Sequence, residues 1–240
     1  MTGLAAGWID SIAGGGGLIT IPVLLALGLP PQVVLGTNKF QASFGSFTAA
    51  AYYVKEGVVS LADARLGIAL TLIGACLGTW AVQQIDPGFL NVLIPVLLLA
   101  IALYMLLARP AGDGERHPRI GRFWFYGVFG LLLGFYDGFF GPGVGSFWAV
   151  AFIAGLGFSL TKATGYTKVM NFTSNIVSCV LFLAGGFVLV VPALVMAAGQ
   201  IIGARIGSGL VVRKGTTLIR PIFIAVVILT TLKLLYNRFA

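Results

Sequence analysis

Apolar positions in this chain fall in long blocks rather than in alternation, and the blocks are parted by glycine, proline and a few charged residues. In the first half the blocks lie at about 1–13, 18–29, 32–55, 60–84 and 88–107, broken at Gly14 to Gly17, Pro30-Pro31, Gly57 and Asp86-Pro87-Gly88. The second half answers at about 122–140, 144–156, 160–183, 188–212 and 216–238. Most blocks approach the ~20 residues that a helix needs to cross hydrocarbon, and the ~10-residue alternation of a transmembrane strand is absent. Lipid offers no partner to backbone groups, so the blocks predict helices. The second block of each half is the exception: about 12 residues reach only about 18 Å, short of a ~30 Å core, which predicts a half-length or re-entrant helix after a glycine break.

The two halves also match residue by residue. Sliding by 127 positions lays Gly3, Gly7, Asp10, Gly14, Gly16 and Gly28 on Gly130, Gly134, Asp137, Gly141, Gly143 and Gly155. After a two-residue insertion the offset is 129, and Gly36, Lys39, Gly57, Gly74 and Gly78 meet Gly165, Lys168, Gly186, Gly203 and Gly207. One repeat of about five segments is duplicated, giving residues 1–108 and 122–240 with a linker at 109–121. The partner of the first block begins near Arg122 and maps ahead of Met1, so the first block is expected to be the rear of a longer helix. No cleavable leader pattern precedes Asp10.

With 58% apolar and 9% charged residues, the chain cannot coat a water-soluble surface. It reads as an all-α integral membrane protein whose partner is the bilayer. The net charge of +8 is no nucleic-acid signal, because most basic residues sit at block ends where the positive-inside rule places them. Arg109, Arg116, Arg119 and Arg122 put the linker in the cytoplasm. Traced outward from there, Lys55 falls inside and Asp86 outside, whereas Gly185-Gly186 falls outside and Arg213-Lys214 inside. Equivalent loops thus face opposite sides, the charge signature of inverted-topology repeats.

Few polar residues lie deep in the blocks. Lys39 and Lys168 are about 12 Å, or eight residues, into equivalent segments. Each either snorkels to an interface or lends charge to an anion in a central cavity. Asn38, Gln41 and Ser43 accompany the first, and Thr167, Asn171 and Asn175 the second, at steps of three and four that line a helical stripe. Arg205 suits an oxyanion, or equally pairs with Asp10 or Asp137. Those two acids stand before glycine-rich breaks and either cap the following short helix or carry a coupling proton. Gly14, Gly15, Gly16 and Gly17, with Gly141 and Gly143, expose amides to an anion at a half-helix N-terminus or permit close packing. Cys76 and Cys179 form no metal or redox spacing, the four tryptophans read as packing and interface belts, and no metal or cofactor is expected.

The stretches at 7–22, 36–41 and 134–142, with Lys-x-x-Asn-x-x-Ser-Asn at 168–175 and Gly-Ala-Arg at 203–205, resemble the TauE/SafE sulfite exporter family, also called the toluene sulfonate uptake permeases. The resemblance implies a transporter of the bacterial inner membrane for sulfite, sulfonates or related small sulfur-containing anions. The rival classes lack their signatures: no phosphate-binding loop for an ATP-driven pump, no symmetric cysteine pair for an electron carrier, and a single histidine, His117, confined to the linker. An enzyme is not expected. The expected function is secondary transport, in the export direction and coupled to protons, and the alternative is a passive anion channel.

Overall fold

Local chemistry sets the helix ends. Asp86 accepts from the amides of Gly88 and Phe89 at 2.8 and 3.2 Å, capping a helix that opens on Pro87. Ser60 and Ser159 cap two more, accepting from Asp63 and Lys162 at 3.3 and 3.5 Å. In a computed structural model, which describes residues 1–107 and 116–214, the chain forms α1 (Thr2–Ala13), α2 (Gly16–Leu25), α3 (Pro31–Lys55), α4 (Leu61–Gln83) and α5 (Pro87–Leu107). The second half follows with α6 (Arg122–Phe125), a π-helical stretch at Tyr126–Gly130, α7 (Leu131–Phe139), α8 (Val144–Leu156), α9 (Leu160–Ala184) and α10 (Val190–Lys214). Among the described residues the fold is helical throughout, as the block pattern predicts. The expected segment at 216–238 and most of the linker lie outside the described residues.

The half-length helices are present: α2 has 10 residues and α8 has 13. The first break is narrower than expected, since only Gly14 and Gly15 interrupt the chain while Gly16 and Gly17 form the first turn of α2. The block at 122–140 is one continuous run, widened in its middle by the π-helical residues. Left-handed glycines also correct the repeat register. Gly28 at φ 73° is matched by Gly157 at φ 70° and not by Gly155, which is helical, so the two extra residues fall before the end of α8. Gly57 and Gly186, at φ 72° and 75°, keep the expected pairing.

Helices from the two halves interleave. α1 packs along α10, its repeat counterpart α7 packs along α4, and α3 packs on α9. The first two crossings are glycine-lined and match position by position. A Cβ on Gly203 would stand 2.2 Å from the Leu4 carbonyl oxygen, and one on its counterpart Gly74 would stand 2.4 Å from that of Leu131, the counterpart of Leu4. Gly7 meets the backbone of Gln200 as Gly134 meets that of Thr71. Without a side chain in the way, the backbones gain the close van der Waals contact that lipid cannot outcompete.

Leu61–Gln83, Leu160–Ala184 and Val190–Val212 are long and apolar enough to cross a membrane. Large apolar side chains stay exposed on their outer faces, among them Leu72, Leu77 and Trp80 of α4 and Val191, Val195 and Ile202 of α10. Such faces suit lipid rather than water. α3 and α9 are equally long and both carry many polar positions turned inward; in α3, Thr37, Asn38, Lys39, Gln41, Ser43 and Ser46 are all buried.

Candidate functional site

Lys39 and Lys168 are each the ninth residue of a 25-residue helix, and their exposures are 1% and 0%. Neither snorkels. Each reaches across to the other half of the molecule, to the acid that ends the opposing broken helix, because α3 and α9 are sandwiched between α1, α7 and the half-helices. A buried ammonium requires such a partner, since the lost hydration must be replaced by charge-assisted hydrogen bonds.

Lys39 donates to Asp137 Oδ1 at 2.5 Å and to Asn175 Oδ1 at 3.1 Å. Asp137 takes a second bond on Oδ2 from the Ser174 hydroxyl, which also lies 3.3 and 3.1 Å from the carbonyls of Met170 and Asn171. Asn175 is steadied in turn by its own amide nitrogen, 3.4 Å from Ser46 Oγ. This cluster is sealed: the Asp137 side chain is 3% exposed.

Lys168 donates chiefly to the backbone carbonyl of Asp10, and its Nζ lies 3.4 Å from Asp10 Oδ2. The other carboxylate oxygen, Oδ1, accepts from the Gly16 amide at 3.3 Å, so Asp10 caps α2 at the end where the helix dipole is positive. Its side chain is 17% exposed.

Between the pairs lies a small polar cavity of about 30 Å³, lined by Asp10, Asn38, Lys39, Asp137, Asn171 and Asn175, with Gly14, Gly17, Gly141, Pro142 and Val144 supplying the half-helix ends. One water needs about 10–15 Å³ on this measure, so the space admits about two waters and no sulfur oxyanion without opening. Asn38 Oδ1 accepts from the Thr20 hydroxyl and from Gln41 Nε2, the latter at 3.0 Å, which leaves its NH₂ end for the cavity. Asn171 is 3% exposed and its Oδ1 has no partner among the described residues.

The structure therefore brings Asp10, Asp137, Lys39, Asn38, Asn171 and Asn175 together, with Gly14, Gly17 and Gly141 at the rim. Five expected contributors do not line the cavity. Lys168 is turned to the Asp10 carbonyl. Gln41 stands behind Asn38, held by Gln200 at 2.6 Å. Ser43 bonds back to the Lys39 carbonyl at 2.8 Å, a turn away from the cavity. Thr167 is buried, and its hydroxyl has no partner among the described residues. Arg205 is exposed and lies over the Tyr52 ring at 4.4 Å, because its place on α10 points outward; it pairs with neither acid. Ser174 and Thr20 are the additions. Ser174 was visible as a member of the α9 polar stripe, whereas Thr20 carried no signal beyond its place in an apolar half-helix.

Chemically, two ammonium groups and two carboxylates sum to zero. The site is not a standing positive sink: an incoming anion gains a lysine only as a carboxylate releases it or takes up a proton.

A family model described as sulfite exporter TauE/SafE matches residues 1–234. The chain is 47% identical over 234 residues to a probable membrane transporter protein, YfcA, of Escherichia coli strain K12, covering 98% of this chain and 87% of the relative. It is 46% identical over 240 residues to a probable membrane transporter protein of Haemophilus influenzae, covering 98% and 92%. A shorter match, 31% over 101 residues, is to sulfite exporter TauE/SafE family protein 6 of Arabidopsis thaliana, covering 42% of this chain and 24% of that one. No solved structure matches the chain.

Proposed function

The chain belongs to the sulfite exporter TauE/SafE family, and from that membership we propose that it is a secondary transporter exporting sulfite, sulfonates or related small sulfur-containing anions across the bacterial inner membrane. Residues 1–108 and 122–240 act as inverted repeats joined by a cytoplasmic linker at 109–121. The anion binds between them, to Lys39 and Lys168 and to the amides of Asn38, Asn171 and Asn175, and it moves with a proton carried by Asp10 or Asp137.

One observation carries this reading: two lysines of opposite halves, buried within long helices, are each held by the acid in the last turn of the other half's broken helix. Intramembrane ions are retained against their desolvation cost where a pathway needs them. Inversion is supported by the charge pattern and by the matched glycine crossings. The small cavity, flanked by two ion pairs, favours a carrier over a passive channel, which needs a wetted path for continuous flow.

The test is uptake of labelled sulfite, sulfate, thiosulfate and sulfonates into proteoliposomes, with and without an imposed pH gradient. A carrier saturates and shows counterflow. Current far above carrier turnover, indifferent to the gradient, would establish the channel instead.

A further inference from the structure

The two acids have different neighbours, and the difference bears on which of them can hold a proton. Gly16 N–H, the partner of Asp10 Oδ1, is a fixed donor that cannot accept. Lys168, 3.4 Å from Oδ2, is also a donor only. A proton placed on Asp10 thus meets donors in both protein partners, and only water at its 17% exposed edge is left to accept it.

Around Asp137 one partner can reverse. The Ser174 hydroxyl donates to Oδ2 and already lies 3.1 Å from the Asn171 carbonyl and 3.3 Å from that of Met170. A hydroxyl is donor and acceptor at once, so it can turn its hydrogen to either carbonyl and accept from a protonated Oδ2. Lys39, meanwhile, keeps its 3.1 Å bond to Asn175 when the carboxylate lets go. The groups around Asp137 are Lys39 from α3, Ser174 and Lys168 from α9 and Asp10 from α1, with the hydroxyl of the adjoining Tyr136 engaged by the Pro142 carbonyl at 2.7 Å.

Resting on the transporter reading above, we infer that Asp137 is the proton carrier and Ser174 its reversible hydrogen-bond partner, while Asp10 remains an ionised cap on α2. One proton adds to a carboxylate oxygen of Asp137, making the acid. Lys39 stays an ammonium, and the N–H it had given to Asp137 turns to one anion. The four charged groups sum to zero before the event, and with a monovalent anion such as hydrogensulfite or methanesulfonate and a proton aboard the sum is again zero. The anion and the proton each make room for the other, which is coupling by shared occupancy of a single lysine. Ser174 acts through Asp137 and is a positioning residue.

The experiment compares labelled sulfite, thiosulfate and methanesulfonate in proteoliposomes with a pH gradient of one unit and with none. At zero membrane voltage, symport of one anion with one proton gives the wild type about tenfold accumulation per pH unit on the alkaline side, and the same coupled step exports the anion when its outward gradient exceeds the proton gradient. In Asp137→Asn that ratio falls to about one while counterflow stays measurable; in Asp10→Asn it stays near ten, whatever the rate. Ser174→Ala weakens the response with Asp137 intact, and Ser174→Thr, which restores a hydroxyl, recovers it. Infrared difference spectra of the wild type show a protonated-carboxyl band on adding substrate, and Asp137→Asn lacks it. A tenfold ratio in Asp137→Asn, or loss in Asp10→Asn alone, overturns the assignment, and a full response in Ser174→Ala overturns the role of the hydroxyl. If Asp137→Asn does not fold, the Ser174 pair and the wild-type spectra decide. A wild type that moves none of the three anions sinks the transporter reading itself, a failure separate from any change in the pH response.

Discussion

Lys39 with Asp137 and Lys168 with Asp10 stand at matching positions of the two halves, yet they are different devices. The lysines are equally buried, whereas Asp137 is sealed among side chains and Asp10 is part-exposed and engaged by backbone. The cause lies in the breaks that follow. After Asp10 only Gly14 and Gly15 leave the helical path, so α2 begins at Gly16 with an amide in reach of the carboxylate. In the second half the break runs from Phe140 to Gly143, because Pro142 has no N–H and Gly143 is left-handed at φ 80°. The first amide of α8 comes later in the chain, and Asp137 takes side chains instead. Duplication kept the charges, and loop chemistry divided the labour.

The largest test of this comparison is stability. Lys39→Met strands a sealed carboxylate and should cost about 3–5 kcal/mol. Lys168→Met leaves Asp10 its Gly16 amide and some water, and should cost about 1–3 kcal/mol. Adding Asp137→Leu to Lys39→Met removes the stranded charge and should recover most of the loss, with transport still abolished. Unfolding in mixed detergent micelles gives all three values. Equal costs for the two lysines would erase the asymmetry.

Affinity should show the opposite, symmetric behaviour. If both lysines serve one anion, Lys39→Ala and Lys168→Ala each weaken binding by about 2–5 kcal/mol, thirtyfold or more. Calorimetry on the purified protein with sulfite or a sulfonate measures it. Wild-type affinity in the double variant would sink the shared site.

Blocks, breaks and the duplication were legible in the sequence because they are periodic or local: helix length, left-handed glycines and capping residues each leave a mark within a few positions. The pairing was not. Asp10, Asp137, Lys39, Lys168 and Arg205 permit several matches, and only the crossing of α3 with α9 selects the one seen, between residues 98 and 158 positions apart. Helical periodicity put Ser43 and Gln41 on the stripe with Lys39, but a stripe does not say which of its members meets a cavity and which meets α10. A signal that separated the two acids did exist in Pro142, since a glycine-only break can place an amide where a proline-bearing one cannot.

The breaks themselves give the next prediction. Gly14 is left-handed at φ 74° and a Cβ there would stand 2.3 Å from Gly145 Cα, in the opposing half. Gly28 has nearly the same φ, 73°, and nothing within 4 Å. Gly28→Ala should therefore cost only the left-handed strain, about 1–2 kcal/mol. Gly14→Ala should add about 1–3 kcal/mol of overpacking and slow transport as well, because the two halves meet at that point. Similar stability losses in both variants would show that the breaks do not touch as described.

The smallest expected effect separates the repeats at a position where they never matched. Arg205 corresponds to Cys76, and its guanidinium chemistry suits an oxyanion. In the structure it is exposed and stacked on Tyr52, 4.4 Å from the ring centroid, outside the cavity lining. An exposed cation–π contact is worth about 0.5–1 kcal/mol, and Arg205→Gln should lose about that in stability. Anion affinity should stay within about twofold of wild type, less than 0.5 kcal/mol on the binding scale. Arg205→Lys should lose part of the stacking and again leave affinity alone, since a point charge does not reproduce the planar contact. The comparison turns on Lys168→Ala measured beside it: a loss in Arg205→Gln as large as that of Lys168→Ala would mean that α10 turns its arginine toward the anion during the transport cycle, and the binding site would have to extend beyond α3 and α9.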